Sequence, residues 1–500
     1  MSGIPRLVLS APASGHGKTA VAVGLLAAFT ARGLPAAGFK VGPDYADAAY
    51  LGLAAGRPGR NLDPRLVGRS RVAPLFAHGA AGAQIAVVEG AMGLFDSLAG
   101  RTETDSTAGV AAELRAPVVL VIDVATMGQS VAALVHGFRA YDEVLRIGGV
   151  ILTRVASDRH EHLLRDALDD IAVPVLGALH RRALPTTLPA RQHGVVPVVQ
   201  RTIDAVRGVR RLADAVREAV DLDQVLAVAR SAPRLAVEPW SAEAATRPAH
   251  GGPDPAADGA TANIGVPGRW LAAADRPGAT GRPVVALAGG PGGSFGYVET
   301  AELLAAAGAA VRPFDPLRDE SLPEGAAAVV VGGGLPESYA EDLSANRRLS
   351  AALAGFARNG GPVLAEGAGL IWLTREFDGR PMCGVLDATA ISTERLVVGY
   401  REATARASTA VAERGSRVVG YKQHCGIVRP RAGQTPAWTW GGGTPEGFVW
   451  RRVHASQLTL HWAGTPDVAF RLVAAARGER PGRWAPESPG EPAERSEVSA

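Results

Sequence analysis

Cysteine is scarce in this sequence, whose 500 residues contain only Cys383 and Cys425. Two cysteines cannot form a disulfide framework of the kind found in secreted domains, nor a cysteine-rich metal site. Charge of one sign is also lacking, because 52 Lys and Arg residues against 49 Asp and Glu residues leave a formal net charge of +3. A surplus this small, with no basic stripe, argues against a nucleic-acid-binding protein.

Long apolar runs are absent as well. No stretch reaches the ~18 consecutive apolar residues that a membrane-spanning helix needs. The first residues lead into a strand pattern and do not resemble a signal peptide. The sequence therefore predicts a cytoplasmic protein with no membrane partner.

The sequence does contain alternating strands and helices rich in Ala, Gly and Val. This order predicts an α/β fold, with a parallel sheet and helices on both of its faces. Ligands bind at the carboxyl ends of the strands in such sheets. Strands are predicted at 6–9, 37–41, 85–89, 118–123, 149–153 and 173–179, and helices at 20–31, 107–114, 130–138 and 160–170.

Composition shifts divide the chain into four parts. Residues 1–228 carry the first strand and helix alternation, and residues 229–282, rich in Ala, Pro and Gly, are predicted to be a linker. A second α/β domain is expected at 283–476. The tail at 477–500 is rich in Pro, Glu, Ser and Arg, and this composition predicts disorder.

A glycine-rich loop at residues 10–19 lies between the first predicted strand and helix. Such a loop directs backbone N–H groups at a polyphosphate, while Lys18 reaches the outer phosphates and Thr19 binds Mg²⁺. Pro12 occupies the position where the usual pattern starts with Gly, but Gly15, Gly17 and the two residues after them are intact. The loop predicts a protein that uses ATP or GTP.

Four further polar segments are candidates for the site, and two of them follow the predicted strands at 37–41 and 85–89. Residues 40–47 contain two carboxylates that could bind Mg²⁺ or lie in a surface loop. Glu89 ends a buried strand, where a carboxylate needs a partner such as a metal ion unless it is solvated. Residues 61–63 are expected in a loop, and Ser106 is expected to cap a helix.

Together these motifs resemble the cobyrinate (or hydrogenobyrinate) a,c-diamide synthases of the cobalamin pathway. The resemblance rests on the phosphate loop and on residues 40–47, 60–63 and 89–96, and it extends over both domains. It implies a first domain similar to dethiobiotin synthetase, in which ATP and Mg²⁺ phosphorylate a substrate carboxylate and ammonia then displaces the phosphate. It implies a class I glutamine amidotransferase as the second domain.

The resemblance also implies roles for individual residues. The phosphates of ATP would be held by Gly15, His16, Gly17, Lys18 and Thr19. Mg²⁺ would be bound by Thr19, Asp44 and Glu89. The catalytic residues near the substrate carboxylate would be Lys40, Asp47 and Asp96. The family pattern is not fully kept after Asp47, because Ala48 and Leu51 replace a Pro and a His. This difference leaves the choice of substrate open.

The second domain departs from the family pattern at the residues that hydrolyse glutamine. Gly367 occupies the position of the nucleophilic Cys, and Thr459 occupies the position of a His. Lys422 replaces a Glu in a third segment. Cys383 and Cys425 lie outside the nucleophile turn, so we expect no glutamine hydrolysis by the usual route.

The expected partners are a corrin polycarboxylate and either ammonia or a separate glutaminase. A homodimer is left open, as is the choice between a cobalt-containing and a metal-free substrate. Two alternatives also stay open, namely amidation of another carboxylate and a non-catalytic or regulatory partner of an intact paralogue. A partition-type ATPase would need a second Lys early in the loop, and Ala13 is at that position.

Overall fold

The structure is a computed structural model of the chain. It describes residues 3–97, 105–181, 183, 190–191, 194–195, 202–247, 281–289, 296–333 and 336–479. The predicted tail therefore falls almost entirely outside the described residues, as do residues 248–280 of the predicted linker.

A seven-stranded parallel sheet forms the centre of the first domain, with strand order β3-β2-β4-β1-β5-β6-β7. Its central strands are buried on both faces because helices cover each side, which explains their continuous apolar sequences. The strands are β1 Arg6–Ser10, β2 Ala36–Val41, β3 Arg60–Leu62, β4 Ile85–Glu89, β5 Val118–Asp123, β6 Ile147–Val155 and β7 Val175–His180.

Helices connect these strands in the order expected for crossover connections. Two short antiparallel strands of two residues each follow β7, namely β8 Ala190–Arg191 and β9 Gly194–Val195. The helices are α1 Lys18–Ala31, α2 Tyr45–Ala55, α3 Pro64–Val67, α4 Arg69–Gly79, α5 Thr107–Glu113, α6 Ser130–Tyr141, α7 Asp158–Asp169, α8 Thr202–Ala219, α9 Leu222–Arg230 and α10 Ala242–Thr246.

The predicted strands and helices of this domain are present, with ends that differ by a few residues. Two expectations were wrong in detail. Asn61 and Leu62 lie in edge strand β3, not in a loop, because they pair with β2. The start of the predicted linker is folded: α9 continues past residue 228, and α10 packs on the second domain. Trp240, between these helices, is buried, and its apolar surface anchors this segment.

The second domain is built around a six-stranded sheet with the order β11-β10-β12-β13-β23-β22. Its strands are parallel except for β22, which pairs antiparallel to β23. The elements are β10 Val284–Ala288, α11 Glu299–Ala306, β11 Ala310–Phe314, β12 Ala326–Val331, α12 Pro336–Ala345, α13 Arg347–Arg358, β13 Val363–Glu366, α14 Gly369–Trp372, β22 Phe448–Trp450, β23 Val453–Ser456 and α15 Asp467–Ala476.

Two four-stranded sheets lie between α14 and β22, with the orders β15-β14-β16-β19 and β18-β17-β20-β21. The second of these contacts α3 of the first domain through β18. The strands are β14 Glu376–Phe377, β15 Arg380–Pro381, β16 Thr389–Ile391, β17 Val397–Ala405, β18 Arg417–His424, β19 Ile427–Arg429, β20 Trp438–Trp440 and β21 Thr444–Glu446.

The two domains share buried apolar surface, since one cluster of buried side chains draws members from both. They also approach closely in places, because a Cβ atom on Gly464 would lie 2.0 Å from the carbonyl oxygen of Leu66. Among the described residues, no helix is both long and apolar enough to cross a membrane.

Candidate active site at the carboxyl edge of the first sheet

The phosphate loop connects β1 to α1 and requires glycine at two positions. Gly15 and Gly17 have φ angles of 90° and 91°, in the left-handed region that side chains with a Cβ atom rarely adopt. Lys18 begins α1, and its Nζ atom donates a hydrogen bond to the carbonyl of Ala13, 3.0 Å away. The backbone amides at the start of this helix form the anion-binding end that the sequence predicts.

His16 anchors the loop to the middle of the sheet. Its Nδ1 atom accepts a hydrogen bond from the backbone N–H of Asp123 at 2.9 Å, and its carbonyl accepts one from Thr153 at 3.0 Å. These contacts join the loop to the ends of β5 and β6. Burial, followed by the charges of Lys18 and Arg154, lowers the pKa of His16, so the ring is neutral at neutral pH.

Lys40 and Glu89, which are buried, form an ionic cluster with the partly buried Asp47 beside the phosphate loop. The Nζ atom of Lys40 lies 2.7 Å from Oδ2 of Asp47 and 2.9 Å from Oε1 of Glu89. The hydroxyl of Thr19 donates to the same Glu89 oxygen at 2.5 Å. The ends of β2 and β4, the start of α1 and the first turn of α2 thus bring four predicted site residues together.

Burial and charge act in opposite directions in this cluster. Burial raises the pKa of the Glu89 carboxyl, although Lys40 opposes that shift. For Lys40, burial would lower the pKa, but the carboxylates of Asp47 and Glu89 outweigh it and raise the pKa. Burial and the charge of Lys40 lower the pKa of Lys18 to about 8. Two ammonium groups are thus held near each other, which would favour a bound anion such as a polyphosphate.

Asp44 caps the helix that carries Asp47. Its Oδ1 atom accepts hydrogen bonds from the backbone N–H groups of Ala46 at 2.8 Å and Asp47 at 3.2 Å. Burial and the neighbouring Asp47 raise the pKa of Asp44. The side-chain amide of Asn61 donates to the carbonyls of Gly42 at 2.8 Å and Asp44 at 3.0 Å, and so fixes this loop from the adjacent strand.

Asp96 lies in the loop after β4 and closes a turn on itself. Its Oδ2 atom accepts from the backbone N–H of Gly93 at 2.8 Å, and its charge acts on Lys18. The backbone N–H of Leu94 donates to the carbonyl of Ala11, which holds the turn against the phosphate loop. Ser106 caps α5 as predicted, since its hydroxyl accepts from the N–H of Gly109.

The donor set fits Mg²⁺ bound together with a nucleotide. Oε2 of Glu89 is buried, and no described residue forms a hydrogen bond with it, so it needs a further partner. No group of three or more His, Cys, Asp or Glu side chains that could hold a metal exists in the described part of the chain. A site that completes its coordination with a hydroxyl, phosphate oxygens and water is typical of Mg²⁺.

The turn after β13 of the second domain has glycine at the position where the sequence predicts that a nucleophile is missing. Gly367 follows β13 and precedes α14, and its φ angle of 57° is in the left-handed region. A Cβ atom added to Gly367 would lie 3.2 Å from Oγ1 of Thr459 and 3.3 Å from Cα of Gly333. The two positions that differ from the family pattern are therefore direct neighbours in space.

The two cysteines lie in other elements. Cys383 packs in the apolar core of the second domain, and burial raises the pKa of its thiol to about 12. Cys425 follows β18. Lys422, on β18, is buried 3.8 Å from Oε1 of Glu446 and lies over the ring of Trp440. Residues Gly334 and Leu335, part of another family segment, lie outside the described residues.

Sequence reasoning missed the contacts that the second domain makes at this site. The hydroxyl of Tyr297 donates to the carbonyl of Pro43 at 3.2 Å, and that of Tyr400 donates to Oδ2 of Asp63 at 2.8 Å. Arg60 binds Glu299 and Glu302 of α11. No local sequence pattern predicts these pairs, because each joins residues more than 200 positions apart.

Comparison with known proteins agrees with the two-domain architecture. Residues 7–195 match the CobQ/CobB/MinD/ParA nucleotide binding domain, and residues 294–466 match the CobB/CobQ-like glutamine amidotransferase domain. These matches confirm the predicted fold class.

Curated relatives align with nearly the whole chain. A hydrogenobyrinate a,c-diamide synthase from Streptomyces coelicolor is 52% identical over 95% of this chain and 98% of its own length. One from Thermobifida fusca is 45% identical, covering 96% and 98%. A cobyrinate a,c-diamide synthase from Gloeobacter violaceus is 37% identical, covering 93% and 96%. The chain belongs to the cobyrinate and hydrogenobyrinate a,c-diamide synthase family.

Proposed function

We propose that this chain amidates the a- and c-side-chain carboxylates of cobyrinate or hydrogenobyrinate, using ATP and Mg²⁺ and acyl-phosphate intermediates. The names of its relatives support the substrate and the product. The observation that carries the proposal is the ionic cluster of Lys40, Asp47 and Glu89 against the Lys18 and Thr19 end of the phosphate loop.

The chemistry requires activation of a poor electrophile. A substrate carboxylate oxygen attacks the γ-phosphorus of ATP, ADP leaves, and the carboxyl carbon gains a phosphate leaving group. Ammonia then attacks that carbon, phosphate departs, and the amide remains. Such transfers depend mainly on positioning and charge neutralisation.

The described residues supply both positioning and positive charge. Lys18 and Lys40 would neutralise negative charge that develops on the transferred phosphoryl group. Asp47 fixes the Lys40 ammonium in place through its ion pair, and Asp96 lies within electrostatic reach of Lys18. Thr19, Asp44 and Glu89 would hold Mg²⁺, which supplies charge neutralisation at the phosphates when bound.

The ammonia, in this proposal, does not come from the second domain. Glutamine hydrolysis in class I amidotransferases needs an activated nucleophile. Gly367 has no side chain, and Thr459 next to it has no imidazole to act as a base. Free ammonia or a separate glutaminase would supply the nitrogen.

The test is an amidation assay with purified chain, ATP and Mg²⁺, in which cobyrinate and hydrogenobyrinate are supplied in turn. Ammonium chloride and glutamine are tested in parallel, and products are identified by mass spectrometry. Product with ammonium but not with glutamine is expected. Product with both would refute the proposed nitrogen source, and product with neither would favour a non-catalytic partner or another substrate.

A further inference from the structure

We infer that contacts from the second domain position residues of the synthetase site, and that Tyr297 is a positioning residue for Asp44. This inference rests on the proposed function, because it assigns the second domain a role in Mg²⁺ binding by the first. It also gives a physical reason for a chain to keep a domain whose nucleophile position is glycine.

The first contact is direct. Residues 42–44 connect β2 to α2 and end at Asp44, the proposed Mg²⁺ ligand. The Tyr297 hydroxyl donates to the carbonyl of Pro43, in the middle of this loop. Tyr297 is buried, and its ring stacks on His461 of the second domain with centroids 4.1 Å apart. Stacking on His461 therefore fixes the position of the Tyr297 ring, and the hydrogen bond from its hydroxyl fixes the loop.

The second contact reaches the same loop through β3. Arg60, which is 5% exposed, places Nη1 2.7 Å from Oε1 of Glu299 and forms a second ion pair with Glu302. The next residue, Asn61, donates to the carbonyls of Gly42 and Asp44. A charged pair this deeply buried is costly to break, so α11 fixes the position of β3.

Together these contacts hold both sides of a three-residue loop. Asn61 bonds the carbonyls before and after Pro43, and Tyr297 bonds the carbonyl of Pro43 itself. Without Tyr297, the Pro43 carbonyl would lose this hydrogen bond and the loop would be free to shift. A carboxylate ligand must be held within a fraction of an ångström to bind Mg²⁺ well, because this ion demands near-octahedral geometry.

The experiment compares full-length Tyr297→Phe with Tyr400→Phe. Both variants remove one tyrosine hydroxyl that crosses the same domain interface, but Tyr400 bonds Asp63 and not the 42–44 loop. Binding of the non-hydrolysable ATP analogue AMP-PNP is followed by calorimetry as the Mg²⁺ concentration is varied. This readout does not require turnover, so it is independent of whether the chain amidates a corrin.

We expect Tyr297→Phe to raise the Mg²⁺ concentration for half-maximal binding by about threefold to tenfold, the effect of losing one hydrogen bond. Its affinity for AMP-PNP without Mg²⁺ should equal that of the unmodified chain. Tyr400→Phe should leave the Mg²⁺ midpoint unchanged. A purely structural role for Tyr297 would lower stability without moving this midpoint.

Three results would overturn the inference. One is an unchanged midpoint in Tyr297→Phe, and another is an equal shift in both variants, which would show general loosening of the interface. The third is binding by the unmodified chain that does not depend on Mg²⁺. An expected shift together with failed amidation would instead support the inference and refute the proposed reaction.

Discussion

A Cβ atom placed on Gly367 would lie 3.2 Å from the Oγ1 atom of Thr459. The two positions at which the second domain departs from the family pattern, one on the turn between β13 and α14 and one after β23, are therefore neighbours in space. Gly367 has no side chain, and Thr459 has no imidazole. We propose that the second domain no longer hydrolyses glutamine and that its remaining role is to position residues of the first domain.

Replacing Gly367 with Ala should destabilise the protein. The residue has φ of 57°, and the new Cβ would contact Thr459 and Gly333 at 3.2–3.3 Å. We expect a loss of about 1–2 kcal/mol in the free energy of unfolding. The matched control is Gly379→Ala, where φ is also positive but no atom lies within 4 Å. Equal losses in urea titrations of the two variants would contradict the role of the close contacts.

Replacing Lys40 with Met should leave the buried Glu89 carboxylate and the partly buried Asp47 carboxylate without their cation. Because Asp47 and Glu89 lie within 2.9 Å of the Lys40 ammonium, we expect a loss of about 3 kcal/mol in the free energy of unfolding. The control is Arg348→Met, which removes an exposed pair with Glu320 and should change stability little. Similar unfolding midpoints for the two variants would show that the ionic cluster contributes no more than a surface pair.

Asp44→Asn should separate helix capping from metal binding. Asn caps helices as well as Asp does, so we expect the free energy of unfolding to change by less than about 0.5 kcal/mol. The Mg²⁺ requirement of nucleotide binding should rise at least about tenfold, a loss typical even of outer-shell partners. Asp221→Asn, at the cap of α9, is the control and should leave that requirement unchanged. An unchanged Mg²⁺ requirement in Asp44→Asn would exclude Asp44 as a ligand.

His454 should make stability depend on pH. Burial lowers its pKa in the folded state to about 3, while the unfolded chain has the ordinary value of about 6.5. The unfolded state binds the extra proton between these values, so this contribution is complete above pH 6.5 and is lost as the pH falls toward 3. The loss is about 1.4 kcal/mol per pH unit.

Urea titrations of the unmodified chain and of His454→Asn between pH 7 and pH 5 would test this dependence. The stability advantage of the unmodified chain should shrink as the pH falls. A constant difference between the two proteins across that range would contradict the assignment to His454. His424, whose pKa burial lowers to about 4, is unchanged in both proteins and cancels in the comparison.

The sequence predicted the central strands well because their burial on both faces leaves uninterrupted apolar runs, as in Val118–Asp123. It did not predict β3, whose three residues at the sheet edge carry an Arg and an Asn. Those polar residues are in a strand because they bond the second domain and the 42–44 loop, which is tertiary information.

The sequence predicted those parts of the candidate site in which a charged or hydroxyl side chain lies at or near the end of a predicted strand. Lys40, Asp47, Glu89 and Thr19 converge because their elements meet at one sheet edge. The contact of Tyr297 with this site was not predictable, because it joins positions 254 residues apart and no local sequence pattern indicates it. The roles of all these residues in catalysis stay predictions.

Isotope labelling would identify the source of the amide nitrogen. The purified chain receives ATP, Mg²⁺, hydrogenobyrinate, unlabelled ammonium and glutamine whose amide carries heavy nitrogen, and the diamide is examined by mass spectrometry. We expect amide product without heavy nitrogen. Heavy nitrogen in the product, with no other glutaminase present, would show that the second domain hydrolyses glutamine despite Gly367 and Thr459, and would contradict this expectation.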